Sequence, residues 1–63
     1  MKKLFRITRT DIEEFPGAFL FELISPEGHE LASAQSRSPI PPQHLRDLQA
    51  QYNTKLVLDE LGL

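Results

Sequence analysis

Apolar and polar residues alternate over residues 3–8, which puts Phe5 and Ile7 on one side and Leu4, Arg6 and Thr8 on the other. That is the period of a half-buried β-strand. Residues 11–17 are a polar connection that ends in Pro16-Gly17, a turn pair. A second strand is expected over residues 18–24, with Phe19, Phe21 and Leu23 on one face. Ser25-Pro26-Glu27-Gly28 has the residue preferences of a type I turn followed by a left-handed glycine, so the chain should fold back as a hairpin with a bulge at Gly28. If Gly28 and His29 together oppose Ser25, then Ile24 faces Glu30, Leu23 faces Leu31, Phe21 faces Ser33 and Phe19 faces Gln35. This register predicts an apolar face of Phe19, Phe21, Leu23 and Leu31, with Ser33 and Gln35 at its far end. The opposite face then carries Leu20, Glu22, Ile24, Glu30, Ala32 and Ala34.

The period changes after the proline-rich link of residues 36–42. Pro42 suits a first helical position, where its missing N–H is harmless. Leu45, Leu48 and Tyr52 follow on one narrow stripe, with Arg46, Asp47, Gln49 and Gln51 expected to face away. The helix is predicted over residues 42–51 or 42–52, with Asn53 as a left-handed stop. Residues 54–61 fit either period, because Leu56 and Leu58 alternate while Val57, Leu58 and Leu61 also share a helical face. The compact apolar run after Asn53-Thr54 favours a short strand through Asp59. The fold class expected is α+β in one small domain over residues 1–63: an antiparallel sheet made of a β-hairpin plus an N-terminal strand, one helix on one face, and a short C-terminal strand or helical turn.

Length and composition bound this picture. A chain of 63 residues buries only about 60% of the surface its unfolded form exposes, so its own core is marginal. Without cysteine it has no disulfide or thiolate metal site, and a cytoplasmic location is the expectation. The start Met1-Lys2-Lys3 has the charge of a signal peptide, but Arg6, Arg9, Asp11, Glu13 and Glu14 break the apolar run such a peptide needs. No apolar stretch approaches the roughly 20 residues that cross a bilayer, and the C-terminal half has too few cations to lie on an anionic membrane. Charge is uneven: Lys2, Lys3, Arg6 and Arg9 form a basic start, and six of the nine acids fall between residues 11 and 30.

Little of the sequence points to catalysis, and no catalytic residue, metal ligand set or cofactor is expected. His29 and Glu30 are neighbours on an extended segment and point to opposite faces. His44 has only Asp47 at helical spacing, too few ligands for a specific metal site. Glu13 and Glu14 read as hydrated loop acids, and the three glycines stand apart instead of forming a phosphate-cradling loop.

What remains is binding. Phe5, Ile7, Phe19, Phe21, Leu23 and Leu31 compete for cover by one helical stripe, so leftover apolar surface or a free sheet edge should meet another protein or a second copy. The expected function is therefore a small non-enzymatic protein-interaction module: a homodimer, an adaptor or an inhibitor. Phe19, Phe21, Leu31 and Tyr52 are the candidates for core or interface, with Arg6 and Arg9 as its polar rim. The alternative is a nucleic-acid-binding module in which the basic first strand carries Phe5 for base stacking. A net charge of −2 weighs against it, and an edge strand protected by cations accounts for the same residues.

The alternating aromatics Phe19 and Phe21, the turn through Gly28 to Glu30 and the apolar-Ala-Ser segment Leu31-Ala32-Ser33 resemble the hairpin of the YegP-like family of short bacterial proteins. The resemblance extends over residues 4–52, with Phe5 near the start of the first strand. Pro26, the proline-rich link and the Leu-rich tail depart from the family pattern. The resemblance implies a ββα unit that pairs with a second unit, and it carries over no catalytic residue.

Overall fold

The structure is a computed structural model that describes residues 4–62. Lys2 and Lys3 of the basic start, and Leu63, lie outside the described residues. Three strands, β1 (Arg6–Asp11), β2 (Phe19–Ile24) and β3 (Glu30–Ser36), precede one helix, α1 (Gln43–Leu61). The strands form an antiparallel sheet in the order β1-β2-β3, and α1 packs across one face. This is the α+β architecture the alternation predicts, with β1 beginning and ending three residues later than expected.

Both hairpin turns follow from local chemistry. Phe15-Pro16-Gly17-Ala18 closes with the Ala18 N–H donating to the Phe15 carbonyl at 2.9 Å, and Gly17 holds a φ of 86°. Pro before a positive-φ Gly is the type II arrangement. In the second turn the Gly28 N–H donates to the Ser25 carbonyl at 2.9 Å and the Ser25 N–H to the His29 carbonyl at 2.8 Å, with Gly28 at a φ of 94°. Gly28 and His29 thus oppose Ser25 together, as the turn sequence predicts. The Ser25 side chain is buried, and its Oγ accepts the His29 N–H at 3.0 Å, locking the turn.

The register of β3 differs from the expected one. Ile24 does pair with Glu30, but a second irregularity then pairs Leu23 with Ala32, Phe21 with Ala34 and Phe19 with Ser36. One extra residue reverses every later side chain. Ala32, Ala34 and Ser36 therefore turn toward the helix side, while Leu31, Ser33 and Gln35 are exposed. Opposite Leu23, Phe21 and Phe19 the slip exchanges Leu31, Ser33 and Gln35 for the smaller Ala32, Ala34 and Ser36, side chains small enough to lie under a close-packed helix.

The core is Phe21, Leu23 and Leu45, all fully buried, with Phe5, Ile7, Phe19, Ala32, Ala34 and Leu48 packed around them. Burying each of the three central side chains is worth about 1.5–3 kcal/mol.

The helix is longer than predicted. Pro42 is its N-cap, one residue outside the first turn, and its carbonyl accepts the Leu45 and Arg46 N–H groups. Asn53 does not stop it, and residues 54–59 continue as helix instead of forming a strand. The true stop is Gly62, left-handed at φ 76°, whose N–H returns to the Asp59 and Leu58 carbonyls. This is the glycine C-cap expected of helices.

Asn53 is retained in the helix because its side chain meets the first strand. Its Oδ1 accepts the Phe5 N–H at 2.7 Å, and its Nδ2 donates to the Phe5 carbonyl at 3.2 Å. Gln49, expected to face away, is half-buried and donates from Nε2 to the same carbonyl at 3.0 Å. The Phe5 and Tyr52 rings stack with centroids 4.9 Å apart. Helix and strand are thus joined by two amides and a ring pair as well as by the core.

Candidate interaction surface

Helix α1 has two apolar stripes. At 3.6 residues per turn, Leu45, Leu48, Tyr52 and Leu56 share the side that meets the sheet. Ala50, Thr54, Val57, Leu58 and Leu61 recur at intervals of four, three, one and three residues on nearly the opposite side. Every residue of this second stripe is exposed: Val57 by 41%, Leu58 by 43% and Leu61 by 64%. A shallow surface groove lined by Ala50, Gln51, Thr54, Lys55, Leu58 and Asp59 runs along it.

The stripe continues past the sheet. From Val57 to Leu61 each helical residue is exposed, and only Leu56 in the last two turns is half-buried. With extents of 46 × 20 × 17 Å, the molecule is much longer than it is wide. The end of α1 therefore carries apolar side chains that nothing in the described residues covers.

The other candidate residues do not gather on this surface. Phe21 is in the core, and Phe19 is half-buried with its ring centroid 6.2 Å from that of Phe21. The Arg9 guanidinium lies 5.0 Å over the Phe19 ring, and its Nη1 donates to the Pro39 carbonyl at 3.4 Å, which holds the proline-rich link against β1. Tyr52 is 39% exposed but stacked on Phe5. Leu31 lies on the other side of the sheet, exposed by 44% because of the second irregularity. Arg6 and Arg9 point to opposite faces of β1, the former opposite Ile24 and the latter opposite Phe21. Phe5 and the described cations of β1 thus share no single open surface. His29, His44, Glu13 and Glu14 are exposed, as expected.

The sheet face away from the helix presents Thr8, Leu20, Glu22, Ile24 and Glu30. The Glu22 carboxyl is held above its ordinary range, first by a hydrogen bond with Glu30, then by partial desolvation and by the neighbouring Glu30 charge. Among the described residues no group of three His, Asp or Glu side chains comes together to hold a metal ion. Among them, too, no helix is long and apolar enough to cross a membrane.

A helix that stops at Asn53 ends before the outward stripe can form. The signal that reveals it is Gly62: a glycine C-cap there makes residues 50, 54, 57, 58 and 61 one face of a continuous helix. No protein-family model matches the chain, and no curated protein or solved structure matches it significantly.

Proposed function

We propose that this chain is a small non-enzymatic protein-interaction module whose contact surface is the outward face of α1. The observation that carries this reading is the second apolar stripe, Ala50, Thr54, Val57, Leu58 and Leu61, opposed to the stripe that packs on the sheet. A helix on a protein surface needs one apolar face, and the sheet already occupies it. A second such face is the arrangement of a helix that is packed from both sides. The YegP-like resemblance of the hairpin belongs to the same proposal and adds no residue to the surface.

The test is site-specific photocrosslinking in a native extract. A benzoylphenylalanine at position 58 should give discrete adducts larger than the free chain, and these should disappear when Leu61→Glu is added. The same probe at Glu27, in the exposed hairpin turn, should give none. Indistinguishable products from positions 58 and 27 would overturn the reading.

A further inference from the structure

We infer that the free edge of β3 pairs with β3 of a second copy, antiparallel and about a two-fold axis at Ala34, so that two three-stranded sheets become one of six strands. This contact is separate from the outward face of α1 and does not rest on it.

Both outer strands of the sheet have one side without a strand partner among the described residues, but the two edges differ. β1 carries Arg6, Arg9 and Asp11, all exposed, and charges along an edge keep other strands away. Residues 31–36 of β3, Leu-Ala-Ser-Ala-Gln-Ser, hold no charge and no proline. The irregularity at Leu31 guards only the start of this strand. Past it, Ala32 to Ser36 pair regularly with Leu23 to Phe19, an even run whose outward N–H and C=O groups are free to take another strand.

The occupant follows from the symmetry of that run, whose centre is Ala34. An antiparallel copy turned about an axis there sets Ala34 against Ala34, Ala32 against Ser36 and Ser33 against Gln35. Ala32, Ala34 and Ser36 of both copies stay on the helix side, so each sheet continues the other with its covered face unchanged. Every pair is uncharged, and the alanines let the two backbones approach closely. One position further out, Arg37 of one copy reaches the irregularity of the other, where Glu30 and Leu31 stand together. Its guanidinium meets the Glu30 carboxyl, and its methylene stem lies on Leu31, which is 44% exposed in the single chain. Glu30 and Arg37 flank the run, one acidic and one basic, so antiparallel pairing joins opposite charges at both ends. Parallel pairing sets like against like.

The assembly is also closed. The two unguarded edges are used against each other and only the charged β1 edges remain outside, so growth ends at two copies. The paired run is short, which places the expected Kd in the micromolar range. A chain at nanomolar concentration in extract is then monomeric, and the crosslinking control at position 27 stays silent.

Sedimentation equilibrium of the purified protein over about 1–300 μM should show a monomer–dimer equilibrium. Arg37→Glu should weaken it about tenfold, because each dimer holds the charge pair twice, and adding Glu30→Arg should restore most of the loss. Leu58→Glu should leave the equilibrium unchanged. Because the chain has no cysteine, introduced thiols report on the register. Under oxidising conditions a mixture of Ser33→Cys and Gln35→Cys should give the mixed disulfide, since opposite residues lie about 4.5–5.5 Å apart between Cα atoms while each variant alone is offset by two positions. Unchanged circular dichroism of the variants shows that they fold. A monomeric mass throughout the range, no rescue by Glu30→Arg, a dimer dissolved by Leu58→Glu, or self-disulfides as abundant as the mixed one would each overturn the inference. Crosslinking from position 58 reads α1 and not β3, so a monomeric mass overturns this inference alone.

Discussion

Replacing Asn53 by Ala tests the link between the first strand and the helix. The Phe5 N–H has the Asn53 Oδ1 as its acceptor, whereas the Phe5 carbonyl has both Asn53 Nδ2 and Gln49 Nε2 as donors. Removing Asn53 leaves the half-buried N–H unpaired, a loss of about 1–3 kcal/mol, while the carbonyl keeps Gln49. Alanine returns about 0.6 kcal/mol through its better helix propensity. The net loss is about 1–2 kcal/mol, a large share of the roughly 3–5 kcal/mol that a core of this size supplies. Gln49→Ala removes only one of two donors to the carbonyl, about 0.5–1 kcal/mol, and most of that is offset by propensity. Urea unfolding followed by circular dichroism at 222 nm should therefore rank Asn53→Ala well below Gln49→Ala in midpoint at equal slope. The double variant should lose more than the sum, because the Phe5 carbonyl is then left with neither donor. Equal midpoints for the two single variants would refute the reasoning and return Asn53 to the role of an ordinary surface residue.

Three further outcomes follow from particular contacts. Ala32→Lys should destabilise by about 2 kcal/mol or more, since residue 32 faces the core, whereas Leu31→Lys should stay within about 0.5 kcal/mol; equal costs in the same urea titration would restore the register that puts Leu31 inside. The Glu22 proton is bound more tightly in the folded than in the unfolded chain, so this group's contribution to stability is fully present below the ordinary carboxylate range and is lost as pH rises through the raised folded value. Glu30→Gln removes both the hydrogen-bonded partner and the charge behind that shift. It should raise the melting temperature at neutral pH while changing it little near pH 4, and a pH-independent effect would contradict the carboxyl pair. Arg9→Ala should cost about 0.5–1 kcal/mol through the lost stacking on Phe19. It should also speed amide hydrogen exchange at Ile40 in the link that Arg9 holds, and unchanged exchange there would show the link to be held by other contacts.

Much of the fold was legible because its signals are local. The turn at Gly28 depends on four consecutive residues, and the strand faces of Phe5 with Ile7 and of Phe19, Phe21 and Leu23 depend on alternation over a few positions. The candidate site was harder to read. Phe21 was recognisable as a large apolar residue but not as core instead of contact surface, and that distinction depends on where the helix lies. The outward stripe crosses Asn53, a residue whose helix-stopping tendency is only a weak local preference.

The sequence alone therefore determined the order of elements, both turns, and the apolar residues available for the core, since each arises from neighbours within one turn or one strand. Tertiary structure decided which face of β3 is covered and how far α1 extends. The face of β3 was settled by the helix lying over it, which favours alanines beneath and releases Ser33 and Gln35 to water. The length of α1 was settled by the amide of Asn53, which satisfies the backbone of Phe5 at a separation of 48 residues. A local tendency of a few tenths of a kcal/mol yields to a half-buried hydrogen-bond pair worth more than that, and no pattern of neighbouring residues records the partner.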